Sequence, residues 1–292
     1  MRALVISGGG CKGAFAGGVA QFLIDEKKHQ YDLLLGTSTG SLLIPHLSLC
    51  KTEKIKDIYT SFGMHKIFSV SPFVVKQKNE IELVKINHIS VLRQFIKGKR
   101  TFGESHNLRK FIEEQLTIAE FEQIKKSKTD VVVTVTNLSK NQVEYKSIRD
   151  FDYFEFCDWI WISCNYAPFM SLVNKNGFEY CDGGFTCLVP IREAINRGAT
   201  EIDVIILETQ VQLEPINVGK NPFSLMVNLF SNMFDQIERN DVTIGKLAAK
   251  NKDVKLNLYY TPTKLTNNAL VFNKEKMKTW WNEGFEFAKS RN

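Results

Sequence analysis

Two glycine turns, each set between an apolar run and a helix-forming stretch, fall within the first 50 residues and constrain the fold more than any other feature. In ALVISGGGCKGAF (3–15) the run from Ala3 to Ile6 drops at Ser7 into Gly8, Gly9 and Gly10. In YDLLLGTSTGSLL (31–43) a second apolar run reaches Gly36 and Gly40, which bracket Thr37, Ser38 and Thr39. Strand, tight turn and helix, repeated at short spacing, call for a parallel sheet with covering helices. The expected order is strand 3–7, helix 12–28, strand 31–36, helix 41–50 and helix 51–62.

Further along, helices are expected at 105–116, 153–163 and 190–199, with an amphipathic terminal helix at 273–290. Strands are expected at 129–137, 142–148, 201–208 and 254–260, and FEYCDGG (178–184) reads as a strand running into a turn. The simplest account is one α/β domain over 1–292, with 209–292 a helical C-terminal region. Residues 64–104 have no clean periodicity. There Phe68, Phe73, Phe95 and Phe102 alternate with Lys76, Lys78, Arg93, Lys97, Lys99 and Arg100. That mixture suits a lid, a cap or membrane-contact segment, and equally a solvated loop packed on the core.

Composition narrows the class. With 292 residues, 43% of them hydrophobic and 24% charged, the chain can bury a large core as an ordinary globular protein. No run approaches the roughly 18 apolar residues of a membrane span, and nothing N-terminal resembles a signal peptide, so a cytoplasmic protein, at most peripheral to a membrane, is expected. Six cysteines without a CxxC pattern point to free thiols. No zinc or calcium spacing is present, and neither metal nor cofactor is expected. A net charge of +6 does not call for a nucleic-acid partner.

The glycine turn at 8–13 could hold a dinucleotide phosphate, a nucleoside triphosphate or a transient oxyanion, since all three use backbone N–H groups at a helix start. Gly36-Thr37-Ser38-Thr39-Gly40 is G-x-S-x-G in the strand–turn–helix setting of a nucleophile elbow, which lifts a serine hydroxyl clear of the sheet. Such a serine needs a base. The α/β-hydrolase order of Ser, acid, His fails, because the five histidines stop at position 106. Asp182, followed by Gly183 and Gly184, is the preferred base. A carboxyl with an ordinary pKa of about 3.9 accepts a serine proton poorly unless burial raises it, so the dyad implies a dry site suited to an acyl chain. Gly8-x-Gly10-x-x-Gly13 also satisfies a dinucleotide fingerprint, but the acid expected at the end of the second strand is replaced by Leu35-Gly36-Thr37. A P-loop fails because Ala14 stands where lysine is needed. A catalytically silent lipid-binding scaffold is a further alternative.

The combination of GGGCKG (8–13), GTSTG (36–40) and DGG (182–184), in that order, resembles the patatin-like phospholipase family. Weaker echoes at 101–112, 163–170 and 189–206 extend the resemblance over about 1–208. The resemblance implies a three-layer α/β sandwich and a lipid acyl hydrolase of phospholipase A or lysophospholipase type, acting on lipid esters at a membrane or micelle surface. By the same resemblance Ser38 is the nucleophile and Asp182 the general base. The oxyanion hole is expected within Gly8, Gly9, Gly10, Cys11, Lys12 and Gly13, chiefly from the N–H groups of Gly9, Gly10 and Cys11. Lys12 supports the turn, Gly36 and Gly40 form the elbow, and Gly183 and Gly184 support the aspartate.

Overall fold

A computed structural model describes residues 1–61, 63–78, 81–211, 222–266 and 268–291. Ten strands lie among them: β1 (Arg2–Ile6), β2 (Leu33–Thr37), β3 (Phe73–Lys78), β4 (Ile81–Ile86), β5 (Asp130–Asn137), β6 (Gln142–Ser147), β7 (Val173–Lys175), β8 (Phe178–Asp182), β9 (Glu201–Ile206) and β10 (Lys255–Tyr260). Eight form the main sheet, in the order β10-β9-β1-β2-β5-β8-β7 with β6 also on β5; β3 and β4 form a separate hairpin. From β10 to β5 every pairing is parallel, as the repeated strand–turn–helix units require.

The pairing of β5 positions the site. Its residues Val132–Asn137 use one edge for β6, running antiparallel. On the other edge Asp130–Thr134 pair with β2, and β8 takes over beyond that point, at Val135–Asn137. Thr37 therefore faces Thr134, and Asp182 faces the very next residue, Val135. The end of β8 abuts the end of β2 in a single lane of the sheet.

The strands read as near-continuous apolar runs because both sheet faces are buried. Leu4, Ile6, Leu34, Val131 and Val133 point into one core, while Ala3, Val5, Leu33, Leu35 and Val132 point into the other. Helices cover both faces, giving the expected three-layer α/β architecture. The helices are α1 (Gly13–Gln21), α2 (Thr39–Ser48), α3 (Thr52–Ser61), α4 (Met64–Ile67), α5 (His88–Ile96), α6 (His106–Gln115), α7 (Ile118–Lys126), α8 (Tyr153–Ser163), α9 (Ile191–Asn196), α10 (Pro222–Asn251) and α11 (Lys274–Ser290).

The helix that starts at the glycine turn, α1, is clamped by α11. A Cβ on Gly18 would sit 1.9 Å from the Trp281 carbonyl oxygen, so only glycine permits the approach. The Trp281 indole N–H donates to Gln21 Oε1 at 2.7 Å.

Two regions hold more regular structure than the sequence suggests. Residues 64–104 hold α4, the β3–β4 hairpin and α5, with the side chains of Lys76 and Lys78 outside the description. In the region expected to be helical, α10 runs for 30 residues without a break. In the C-terminal region, 212–221 lie outside the described residues.

Candidate active site

Ser38 follows β2 and opens α2, with φ 52° and ψ −119°. A non-glycine residue in such a conformation costs on the order of 1–3 kcal/mol and persists only where its surroundings fix it. The fixing is dense here. The Ser38 N–H donates to Ser163 Oγ at 2.9 Å, and the Ser163 hydroxyl donates to the Thr134 carbonyl at 2.6 Å. Ser41 Oγ lies 2.8 Å from Ser163 Oγ and donates to the Gly36 carbonyl at 3.1 Å. The Cys164 thiol donates to the Ser38 carbonyl. A Cβ on Gly36 would fall 2.4 Å from the Gly40 carbonyl carbon, and one on Gly40 would fall 2.4 Å from the Ile6 carbonyl oxygen. The elbow glycines are needed for close approach.

Asp182, at the end of β8, is only 2% exposed. Its carboxyl accepts the Gly184 N–H at 2.8 Å and lines the same cavity as Ser38. Its own N–H donates to the Asn165 carbonyl at 2.9 Å. Burial pushes the carboxyl up from 3.8 to about 7, against the nearby Ser38 hydroxyl and the Gly184 N–H, which favour the ionised form. Gly183 and Gly184 form the turn after it, where side chains would strike the Thr134 carbonyl and Phe234. No histidine is among the described residues lining the cavity. His46 is buried on α2, facing the Gln115 carbonyl, with its pKa lowered to about 4 by burial.

The glycine turn packs against Ser38: a Cβ on Gly8 would lie 3.1 Å from Ser38 Cβ. Its donors divide into two groups. The Cys11 N–H is spent on the Ala269 carbonyl at 2.9 Å, the Lys12 N–H on Gly9, and the Gly13 N–H on Gly10 and Cys11. Of the six positions from Gly8 to Gly13 expected to hold an oxyanion, three therefore have N–H groups with backbone acceptors. The N–H groups of Cys11, Lys12 and Gly13 are engaged, the first by the loop at Ala269 and the other two in closing the turn. Among the described residues no acceptor meets the N–H of Gly8, Gly9 or Gly10. Gly10 has φ +56°, and a Cβ there would lie 2.1 Å from the Ala269 oxygen. Tyr59 donates to the Gly10 carbonyl at 2.6 Å and bonds Thr39. Lys12 is buried in an ion pair with Glu208.

One cavity of about 180 Å³ is lined by Gly8–Gly10, Ser38 and Asp182 together. Its other walls are largely apolar, including Phe73, Phe169, Met170 and Phe234. The arrangement can deliver a serine oxygen, a proton acceptor and open N–H donors to one carbonyl group. Ser163, Cys164, Asn165 and Tyr59 support it and carry no motif; the only sequence trace of the first three is the weak echo at 163–170. No described helix is long and apolar enough to cross a membrane.

No curated protein matches the sequence. Among solved structures, VipD from Legionella pneumophila superposes with a TM-score of 0.55 at 14% identity over 99% of this chain. The chain spans 66% of the length of that structure. The family model for patatin-like phospholipase matches residues 4–195, which contain the glycine turn, the elbow and the aspartate. The chain belongs to the patatin-like phospholipase family.

Proposed function

We propose that the protein is a serine lipid acyl hydrolase that cleaves carboxylic esters through Ser38 and Asp182. The observation that carries this reading is that Ser38 shares one cavity with the buried Asp182 carboxyl, which burial raises to about 7. A carboxylate with that basicity is a competent general base at neutral pH, without a histidine.

In acylation, Ser38 Oγ bonds to the acyl carbonyl carbon as its proton passes to Asp182. The C=O electron pair moves onto oxygen, and the open N–H groups of Gly8, Gly9 and Gly10 receive the charge. When the tetrahedral species collapses, the alcohol leaves with the proton held by Asp182. Water then attacks the acyl-serine while Asp182 takes its proton, and collapse returns that proton to Ser38 and frees the carboxylic acid.

The substrate is a lipid ester, in keeping with the apolar cavity walls. It is met at a membrane or micelle surface. In support, Ile89, Leu92, Phe95 and Ile96 are exposed on α5, beside Arg93 and Lys97. Ring contacts run inward from there, Phe95 to Phe102 and Phe102 to Phe169 in the cavity wall. Residues 64–104 would then serve as the contact segment and cap.

A fluorophosphonate probe tests the dyad. Wild type is expected to be labelled and to hydrolyse a short-chain ester, with Ser38→Ala doing neither and Asp182→Asn losing turnover. Labelling elsewhere, or full activity in Asp182→Asn, overturns the dyad. An unlabelled, inactive wild type favours the silent scaffold.

A further inference from the structure

The charged end of the cavity has no part in the chemistry above. Phe234 packs against Gly184, so on α10 it marks the level of the dyad. Val227, also in the cavity wall, lies seven residues before it, about 10 Å along the axis. Asp235 and Glu238 line the cavity on the opposite side, with Glu238 about 6 Å beyond Phe234. Along the helix the lining runs from Val227 through Ser231 and Phe234 to Asp235 and Glu238, so the carboxyls lie toward one end.

Among the described lining residues Lys12 is the only cation, against Asp182, Glu208, Asp235 and Glu238. Lys12 is already neutralised by Glu208. Glu238 is 5% exposed, and its Oε2 has no hydrogen-bond partner among the described residues. A buried carboxyl oxygen left unpaired is costly and calls for a ligand or another partner. Burial, then Glu208, Asp235 and Asp241, push the Glu238 carboxyl up to about 8, and Lys12 opposes them. Tyr260 faces Glu238 too, its own pKa raised by burial and by that carboxyl. Arg239 and Lys264 act on Asp235 from outside the cavity lining.

We propose that this acidic end is a subsite for an ammonium group on the alcohol side of the ester, recognised by Glu238 and Asp235. The proposal rests on Ser38 as the nucleophile, which sends the acyl chain to the other end. An anionic head group would meet Glu208 and Asp235 with Lys12 already paired. Binding of the cation ionises Glu238 and releases one proton to solvent; no other bond changes.

The test compares decanoylcholine with its uncharged carbon isostere, 3,3-dimethylbutyl decanoate, in wild type, Glu238→Gln and Asp235→Asn. The ratio of kcat/KM cancels effects common to both esters, Asp182 titration included. In wild type the charged ester is expected to be favoured by about tenfold, more so above the Glu238 titration near pH 8. The preference falls toward one in both variants and loses its pH dependence in Glu238→Gln. A wild-type ratio of one, a preference unaltered in both variants, or a preference for the uncharged ester overturns the subsite. Binding of decyltrimethylammonium to Ser38→Ala, with and without Glu238→Gln, is measured by calorimetry as a second readout. If wild type cleaves neither ester, the Ser38 reading fails, and the subsite stands or falls on whether Glu238→Gln weakens that binding about tenfold.

Discussion

Replacing Asp182 by Asn is expected to abolish ester hydrolysis and to make the folded protein more stable above neutral pH. The carboxyl titrates near 7 in the folded chain, against an ordinary value of 3.8. Between those values the folded chain keeps a proton that the unfolded chain has released, so stability falls as pH rises through that window. At about 1.4 kcal/mol per pH unit, holding the ionised form buried costs about 4 kcal/mol at most. Asparagine does not ionise, and its amide oxygen can still accept from Gly184. Some of the gain is lost because an amide oxygen is the weaker acceptor, leaving about 2–4 kcal/mol. For a chain of 292 residues that corresponds to a rise of about 3–6 °C in Tm. Thermal unfolding of both proteins across a pH series, with ester hydrolysis on the same samples, measures both effects. The Tm difference is expected near zero at about pH 4 and full by about pH 8. A difference that does not vary with pH, or an Asn variant less stable at alkaline pH, would refute the buried, proton-holding carboxyl.

Three other outcomes follow from the same geometry. For an uncharged, soluble ester, kcat/KM should rise with pH to a half-maximum near 7, because only ionised Asp182 takes the serine proton; a profile already flat in the acid range contradicts this. Ser163→Ala strips a partner from both the Ser38 N–H and the Thr134 carbonyl, and should cost about 2–4 kcal/mol in urea unfolding. Its kcat should fall by at least about tenfold as the elbow loosens, and an unaltered kcat would show that the elbow holds without it. Leu92→Glu, on the exposed face of α5, should weaken co-sedimentation with anionic vesicles by about tenfold or more, as a lipid-buried leucine contributes about 1.5–3 kcal/mol. Equal binding by the variant would remove α5 from the lipid contact.

Elements whose residues are dictated by local backbone needs were legible from the sequence. Gly36 and Gly40 are required where α2 crosses β1, and the apolar runs of β1, β2, β5 and β9 follow from burial on both faces. Partners that depend on distant backbone were not. The Cys11 N–H is taken by the Ala269 carbonyl, and carbonyls look alike in every residue, so no side chain announces that contact. Ser163 acts through a hydroxyl that, in sequence, is one serine among many. The β3–β4 hairpin and α5 were hidden because exposed apolar residues such as Val74, Val75 and Ile96 blur the alternation that marks a half-buried element. In α10 the polar stretch DQIERND, where Glu238 lies buried, masked a continuous helix.

The shared lane of β2 and β8 also bears on how such a chain can change over time. Ser38 and Asp182 are aligned by hydrogen-bonding rungs along one strand, β5, and by the contacts of Ser163 and Asn165, to which the β3–β4 hairpin and α5 do not contribute. The hairpin and α5 are free to be lengthened, exchanged or rebuilt while the spacing of Ser38 and Asp182 stays fixed. Only a slip of β8 along β5 would turn Asp182 to the opposite face. Chemistry and substrate choice are thereby written in separable parts of the chain, and a new specificity can be grafted onto the loops without renegotiating the reaction.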